Sequence, residues 1–277
     1  MVKRLVVNDV AHCTQDRQES TRDVAVRKLQ GCRAIMHVTT HLKQRDGALD
    51  LLKWLALLSM VLDHLRYVGY SVDLLYVPGR LAFPWFCLAM AANLARASTV
   101  TSGGQWRYLG WLLLFSAVSE IPYRMFIPEH DTLNVMPTLV LGLLVARGWQ
   151  QPTLQSRLLA AGAVLLAVLF TQKLMFGFFG VLLPLALLLV IRRPWYYALL
   201  PGLVCLAANQ WQVLFYAARL GTSAAIPAIV TCLIAPWLGL FLLRHLHDVK
   251  APPMRRWAYA LYPAHFLMLL ALRQAIA

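Results

Sequence analysis

The chain has 277 residues, of which 60% are hydrophobic and 14% charged, with a mean hydropathy of +0.60. About a quarter of an average soluble domain is charged, so this composition excludes a water-soluble globular protein over most of the length. The net charge of +14 would favour nucleic-acid binding in a soluble protein. Here the basic residues lie mostly between apolar runs, where membrane orientation explains them, and we predict no nucleic-acid partner.

The first 48 residues differ in composition from the rest of the chain. They hold nine Lys or Arg against five Asp or Glu, and they contain no apolar run long enough for the core of a signal peptide. We therefore predict a basic, poorly ordered cytoplasmic extension over residues 1–48. A transmembrane helical domain is predicted over residues 49–277.

Apolar runs follow one another from Leu49 to the C-terminus, separated by short segments rich in Gly, Pro and Arg. A membrane-spanning helix needs roughly 20 mainly apolar residues. The runs predict an all-α, polytopic integral membrane protein with about nine transmembrane helices, over residues 49–68, 80–96, 106–127, 132–147, 156–172, 176–191, 195–214, 223–243 and 257–276. The fifth and sixth runs are short, which makes one of them a candidate re-entrant helix.

The distribution of basic residues predicts the orientation of these helices. Lys and Arg accumulate in short loops on the cytoplasmic side of a membrane. With the N-terminus inside, the inner loops after the first span hold ten Lys or Arg and the outer segments hold six. The pattern therefore favours a cytoplasmic N-terminus, an external C-terminus and an odd number of spans.

Several ionisable or strongly polar side chains fall inside these apolar runs. Each charged one costs at least ~2.5–3.5 kcal/mol on insertion scales, so such residues usually face the bundle interior and mark a function. Asp63 and His64 lie about fifteen residues into the first span, roughly 22 Å along its axis, toward the outer leaflet. Other polar residues at the outer ends of spans, or near the midplane, are Arg80, Glu120, Asn134, Asn209, His265 and Tyr262.

These residue types suit proton transfer. A histidine beside a carboxylate is suited to act as a general base, because its pKa lies near neutrality and the carboxylate orients the ring. Adjacent residues point about 100° apart on a helix, so the carboxylate that orients His64 is either Asp63 or Glu120 from another helix. Arg80 offers a permanent charge for a phosphate, a carboxylate or a developing oxyanion. The same residue types serve as proton relays in transporters, and charged groups near helix ends also snorkel to headgroups.

Five short motifs carry a resemblance to a known family. They are D-H in the first span, P-G-R-L-A-F-P-W-F around Arg80, E-I-P-Y-R closing the third span, L-N-V-M-P-T-L in the fourth, and Y-P-A-H in the last. They resemble the TraX family of conjugative pilin acetylases, including TrbP-type conjugal transfer proteins, over roughly residues 49–277.

The resemblance implies a multi-pass enzyme of the bacterial inner membrane. Such an enzyme transfers acetyl from acetyl-CoA to the N-terminal amine of pilin or a similar exported acceptor. It further implies that His64 is the base that accepts the amine proton or a transient acetyl carrier, that Asp63 supports it, and that His265 is a second catalytic or donor-positioning group. Glu120, as the alternative partner of His64, completes the predicted catalytic residues. The substrate- or donor-binding residues that it implies are Arg80, Asn134, Tyr262 and Arg124. Because acetyl-CoA is cytoplasmic and the polar residues lie toward the outside, either the pantetheine arm enters the bundle or the acetyl group is relayed.

Other functions remain open at this point. A broader acyltransferase of glycans or lipids uses similar residues, a small-molecule or proton-coupled transporter uses the same proton relays, and a non-catalytic pilus-assembly protein would tolerate replacement of His64. The sequence shows no metal-binding motif, Gly-rich phosphate loop or serine nucleophile elbow, and its five cysteines include no CxxC pair. We therefore predict no metal and no cofactor beyond the acetyl-CoA donor.

Overall fold

α-Helices dominate the computed structural model, which describes residues 47–69, 72–96, 102–129, 131–151, 153–246, 249–254 and 257–276. These residues contain no β-strand, so the predicted all-α fold is confirmed for this part of the chain. The α-helices are α1 (Gly47–Leu65), α2 (Tyr76–Arg96), α3 (Ser102–Phe126), α4 (Val135–Gln150), α5 (Leu154–Leu169), α6 (Gly177–Val190), α7 (Leu199–Ala208), α8 (Trp211–Arg219), α9 (Ala225–His245) and α10 (Ala258–Ile276). The extension predicted for residues 1–48 lies outside the described residues, apart from Gly47 and Ala48, which begin α1.

Two of the described helices are long and apolar enough to cross a membrane by themselves. One is α2 together with the 3-10 helix Asp73–Leu75 before it, 24 residues in all, and the other is the 21-residue α9. A third candidate arises if Trp195–Ala208 and Trp211–Arg219 form one bent span, while α4, α5 and α6 are shorter apolar helices. These helices are those of a membrane protein. The number of nine spans and the orientation stay predictions.

The seventh predicted span is not one helix. Residues 195–214 were expected to be continuous, but the axis turns by 77° between α7 and α8. The helix ends because Asn209 Nδ2 donates to the Cys205 carbonyl oxygen at 2.8 Å and Gln210 adopts a left-handed conformation, with φ of 55°. The pair 156–172 and 176–191, where a re-entrant helix was considered, corresponds to the two short apolar helices α5 and α6, and the re-entrant helix stays a prediction.

The helix α2 lies at the centre of the bundle. It packs against α1, α4, α6 and α9. Its buried positions include Gly79 and several alanines, Ala82, Ala89, Ala91 and Ala92. Small residues of this kind allow neighbouring helices to approach closely, which drives helix association where lipid removes the hydrophobic effect as a driving force.

Hydrogen bonds between helix ends define two ends of the bundle. At the end where α1 and α10 begin and α2 and α4 finish, Trp54 donates to the Pro252 carbonyl and Gln150 donates to the Leu94 carbonyl. We call this the Lys53 end, because Lys53 lies in the second turn of α1. The opposite end, called the His64 end, holds the C-terminal end of α1 and the start of α2. The polar residues predicted to lie toward the outer leaflet thus collect at one end of the helices.

Candidate functional site

Two histidines from the first and last helices meet between α1 and α10. The Nδ1 atom of His64 lies 3.0 Å from Nε2 of His265, a hydrogen bond whose donor is decided by the tautomers of the two rings. Their ring planes are inclined by 16°, with centroids 5.1 Å apart. His265 is buried, with 4% of its surface exposed. The sequence identified both residues but contained no information that they would touch.

Aromatic side chains surround the histidine pair. The ring of Phe266 lies 5.2 Å from that of His64 and 4.0 Å from that of His265. Phe126 approaches His64 edge-on at 6.2 Å. Such an apolar setting strengthens the hydrogen bond between the imidazoles, because the local dielectric constant is low.

Asp63 points away from the histidine pair and toward α2. Its carboxylate forms ion pairs with Arg80 (Nη2 to Oδ2, 3.5 Å) and Arg66 (Nε to Oδ1, 3.3 Å). The helices approach closely here, because a Cβ atom added at Gly79 would lie 2.5 Å from the Asp63 Cβ. This contact explains the motif Gly79-Arg80, because Gly79 leaves space for the side chain of Asp63 and Arg80 binds its carboxylate. Arg80 itself lies in the second turn of α2, rather than at its start as the sequence suggested.

Arg80 also reaches the break between α7 and α8. Its Nη1 atom donates to Oδ1 of Asn209 at 2.5 Å, and its guanidinium lies 4.0 Å from the centre of the Tyr76 ring. Asn209 is buried, with 6% of its surface exposed. We call Asp63, Arg66, Arg80 and Asn209 the Arg80 network. The sequence showed Asn209 as a polar residue in an apolar run, but gave no reason to assign it to a site.

Glu120 and Asn134 form a separate polar cluster between α3 and α4. The Glu120 Oε2 atom accepts from the backbone N–H of Asn134 at 3.0 Å and from its Nδ2 at 2.8 Å. Asn134 Nδ2 also donates to the Ser116 carbonyl at 2.9 Å, and its Oδ1 caps α4 by accepting from Met136 N–H at 2.9 Å. Glu120 thus holds the start of α4, while the side-chain hydrogen bond of His64 described above is to His265.

The two remaining predicted residues lie beside this second cluster. Arg124 donates from Nε to Glu120 Oε1 at 2.7 Å, and its side chain is 51% exposed. The hydroxyl of Tyr262 accepts from Val135 N–H at 3.3 Å, and its ring lies 5.4 Å from that of His265. Tyr262 therefore connects the start of α4 to the histidine pair.

The arrangement combines two chemical capacities at one end of the bundle. The histidine pair can accept a proton and pass it along a hydrogen bond, and the Arg80 network holds two guanidinium groups against one carboxylate. A base beside a positively charged region suits a reaction in which an amine loses a proton and an anion develops.

Comparison with known proteins gives one family. A family model described as "TraX protein" matches residues 48–273, which is most of the chain. No curated protein matches the chain. No solved structure matches it either.

Proposed function

Since the chain belongs to the TraX family, we propose that it is a membrane-bound acetyltransferase that transfers acetyl from acetyl-CoA to the N-terminal amine of a conjugative pilin or a similar exported acceptor. The observation that carries this proposal is the hydrogen bond of 3.0 Å between His64 and His265. Membership of the family supports a role connected with conjugation and pilin. The site chemistry supports the enzymatic part.

The histidine pair takes the proton in this reaction. The amine nitrogen attacks the thioester carbonyl, an N–C bond forms, and the C–S bond breaks to release CoA as a thiolate. The amine proton passes to the imidazole pair and from there to the thiolate, so the pair is neutral again at the end of the cycle. Proton transfer by a positioned side chain typically contributes 10²–10⁴-fold to such a rate.

The Arg80 network supports the same step electrostatically. With Arg66 and Arg80 against Asp63, the network itself retains a net positive charge. Negative charge develops on the carbonyl oxygen as the amine attacks, and a fixed cation in a water-poor site stabilises it. Asn209 and Tyr76 hold the Arg80 guanidinium in place.

The proposed location is the bacterial inner membrane, with nine spans, a cytoplasmic N-terminus and the histidine pair toward the outer leaflet. An exported acceptor would then meet the His64 end, and the donor would arrive from the Lys53 end. Basic residues collect at the Lys53 end, among them Arg96, Arg192 and Arg244, and their positive charge supports this orientation.

A transporter is the second candidate function. One observation favours it: α7 breaks at a buried asparagine, and discontinuous helices line the binding sites of many secondary transporters. A transporter would carry its substrate in proteoliposomes without modifying pilin.

The test is intact-mass spectrometry of pilin from cells that carry the wild-type chain, the His64→Ala variant, the His245→Ala variant or none. His245 is the matched control, because it is an exposed histidine that contacts the Phe241 carbonyl at the other end of the bundle. We expect one added acetyl group with the wild type and His245→Ala, and none with His64→Ala. Equal pilin masses in all four samples would refute the proposal.

A further inference from the structure

A cavity of about 380 Å³ lies inside the bundle on the Lys53 side of the histidine pair, between α1, α2, α3, α4 and α10. Its size falls within the range of small-molecule binding sites, roughly 300–1,000 Å³. Neither histidine lines it, and neither does any residue of the Arg80 network. It is therefore a feature distinct from the candidate site described above.

The cavity has a half-open end and a closed end. Asn93 at one end is exposed, and the side chain of Lys53 beside it is 20% exposed. At the other end Met60 and Tyr262 are buried, with 7% and 6% of their surfaces exposed. A ligand would enter beside Lys53 and extend toward Tyr262.

The closed end lies one helical turn from the histidine pair. Met60 precedes His64 by four residues on α1, which is about 6 Å along the axis. Tyr262 precedes His265 by three residues on α10, and the two rings are 5.4 Å apart. A reactive group at this end would therefore reach the imidazoles across one side chain.

The length of the cavity fits the arm of the acetyl donor. Met60, at the closed end, lies seven residues from Lys53 on α1, about 10 Å along the axis, and His64 beyond it lies eleven residues from Lys53, about 16 Å. The pantetheine arm has about twelve bonds between its phosphate oxygen and its sulfur, as many as four residues of extended backbone, or roughly 14 Å. An arm with its phosphate at the Lys53 ammonium would thus bring its thioester to the Tyr262 end.

The chemistry of the walls also fits this arm. Pantetheine is a flexible chain with two amides and a dimethyl group, and it needs an adaptable apolar wall with a few hydrogen-bonding groups. The four methionines Met60, Met90, Met136 and Met254 supply the first. Hydroxyl and amide groups of Asn93, Tyr108 and Tyr259 supply the second.

Lys53 is the cation at the open end. One ammonium proton is directed to the Asp50 carboxylate, at 3.3 Å. A lysine has three N–H donors, so this ion pair positions the ammonium and leaves donors for a phosphate.

We propose that this cavity binds the pantetheine arm of acetyl-CoA, with Lys53 binding a phosphate and the thioester lying against Tyr262. The inference rests on the proposed function and names the donor site. It places the donor site at the Lys53 end. Arg80, for which a donor-binding role was expected, would then act at the His64 end on the acceptor or the oxyanion.

The test compares two donors on the full chain in lipid nanodiscs. Acetyl-CoA carries phosphates, whereas S-acetylpantetheine has the same arm and none. Binding is measured by calorimetry. For Lys53→Gln we expect the affinity for acetyl-CoA to fall about tenfold, because one charge-assisted hydrogen bond is lost. The affinity for S-acetylpantetheine should not change. Lys53→Arg should restore the affinity for acetyl-CoA. Lys173→Gln, at the other end of the bundle, should change the affinity for neither donor.

A second pair of variants tests the walls. Two substitutions should weaken the binding of both donors by filling the cavity: Ala258→Phe, at a half-buried lining position, and Ala89→Phe, at a buried one. If neither variant affects either donor, or if Lys53→Gln weakens both donors equally, the assignment is overturned. Recovery of a phospholipid that acetyl-CoA does not displace from the cavity would also overturn it. Donor binding that follows these expectations while no acceptor is acetylated would refute the proposed function and leave the donor site standing.

Discussion

The histidine pair and the cluster of Glu120 and Asn134, called the Glu120 cluster, are both polar and at least partly buried, yet they are bonded differently. The first joins the first and last helices, and the second joins the consecutive helices α3 and α4. His64 and His265 bond each other through side-chain atoms. Glu120 and Asn134 bond the backbone at Asn134 itself, Ser116 and Met136. Side chains that satisfy backbone groups at a helix start stabilise the fold, whereas two imidazoles bonded to each other through ring nitrogens can transfer a proton. The comparison separates candidate catalytic residues from structural ones.

The largest effect is expected at the histidine pair. His64→Ala and His265→Ala should each lower the acetylation rate by about 10²–10⁴-fold, because each removes a member of one proton-transfer unit. The double variant should be little worse than either single variant, since residues that act as a unit are not additive. The measurement is the rate of pilin acetylation in proteoliposomes, with the melting temperature as a control for folding. Additive losses in the double variant would contradict the proposed coupling.

The Glu120 cluster should show the opposite pattern. Asn134→Ala removes the Oδ1 cap of α4 and the Nδ2 donor to Glu120 and the Ser116 carbonyl, whereas the backbone N–H that also donates to Glu120 stays. We therefore expect a loss of about 2–3 kcal/mol in the free energy of unfolding. The rate per folded molecule should change little. Thermal unfolding in detergent, combined with the rate assay, checks both parts. A normal melting temperature with a lost rate would move this cluster into the catalytic group.

The contact between Gly79 and Asp63 should give an intermediate effect. In Gly79→Ala the new methyl group would lie 2.5 Å from Asp63 Cβ, which forces α1 away from α2 and costs about 1–2 kcal/mol. Gly110→Ala in α3 is the matched control, since a Cβ there meets nothing within 4 Å and alanine is the better helix former. Equal melting temperatures for the two variants would show that the close approach of α1 and α2 is not needed.

Most helices could be predicted from the sequence, because long apolar runs directly reflect burial in lipid. The break at Asn209 could not, since it depends on the left-handed conformation of Gln210 and on the partner that Asn209 finds in Arg80. Polar residues in apolar runs identified His64, Arg80 and His265. Which of them belong to the histidine pair and which to the Arg80 network depends on the arrangement of the helices in space. The order of the helices in the sequence does not determine that arrangement. The cavity was missed because an empty volume lined by methionines has no sequence pattern of its own.

The smallest effect is expected at Arg124, and it tests the edge of the Glu120 cluster. Its ion pair with Glu120 is short, at 2.7 Å, but half of the side chain is exposed, and exposed pairs of this kind contribute less than about 1 kcal/mol. Arg124→Ala should therefore leave the melting temperature nearly unchanged. If Arg124 only supports Glu120, the acetylation kinetics will also be unchanged. If it binds the acceptor, as the family resemblance implies, KM for pilin will rise while kcat stays constant. Arg124 would then be a functional residue, although its partner Glu120 is a structural one.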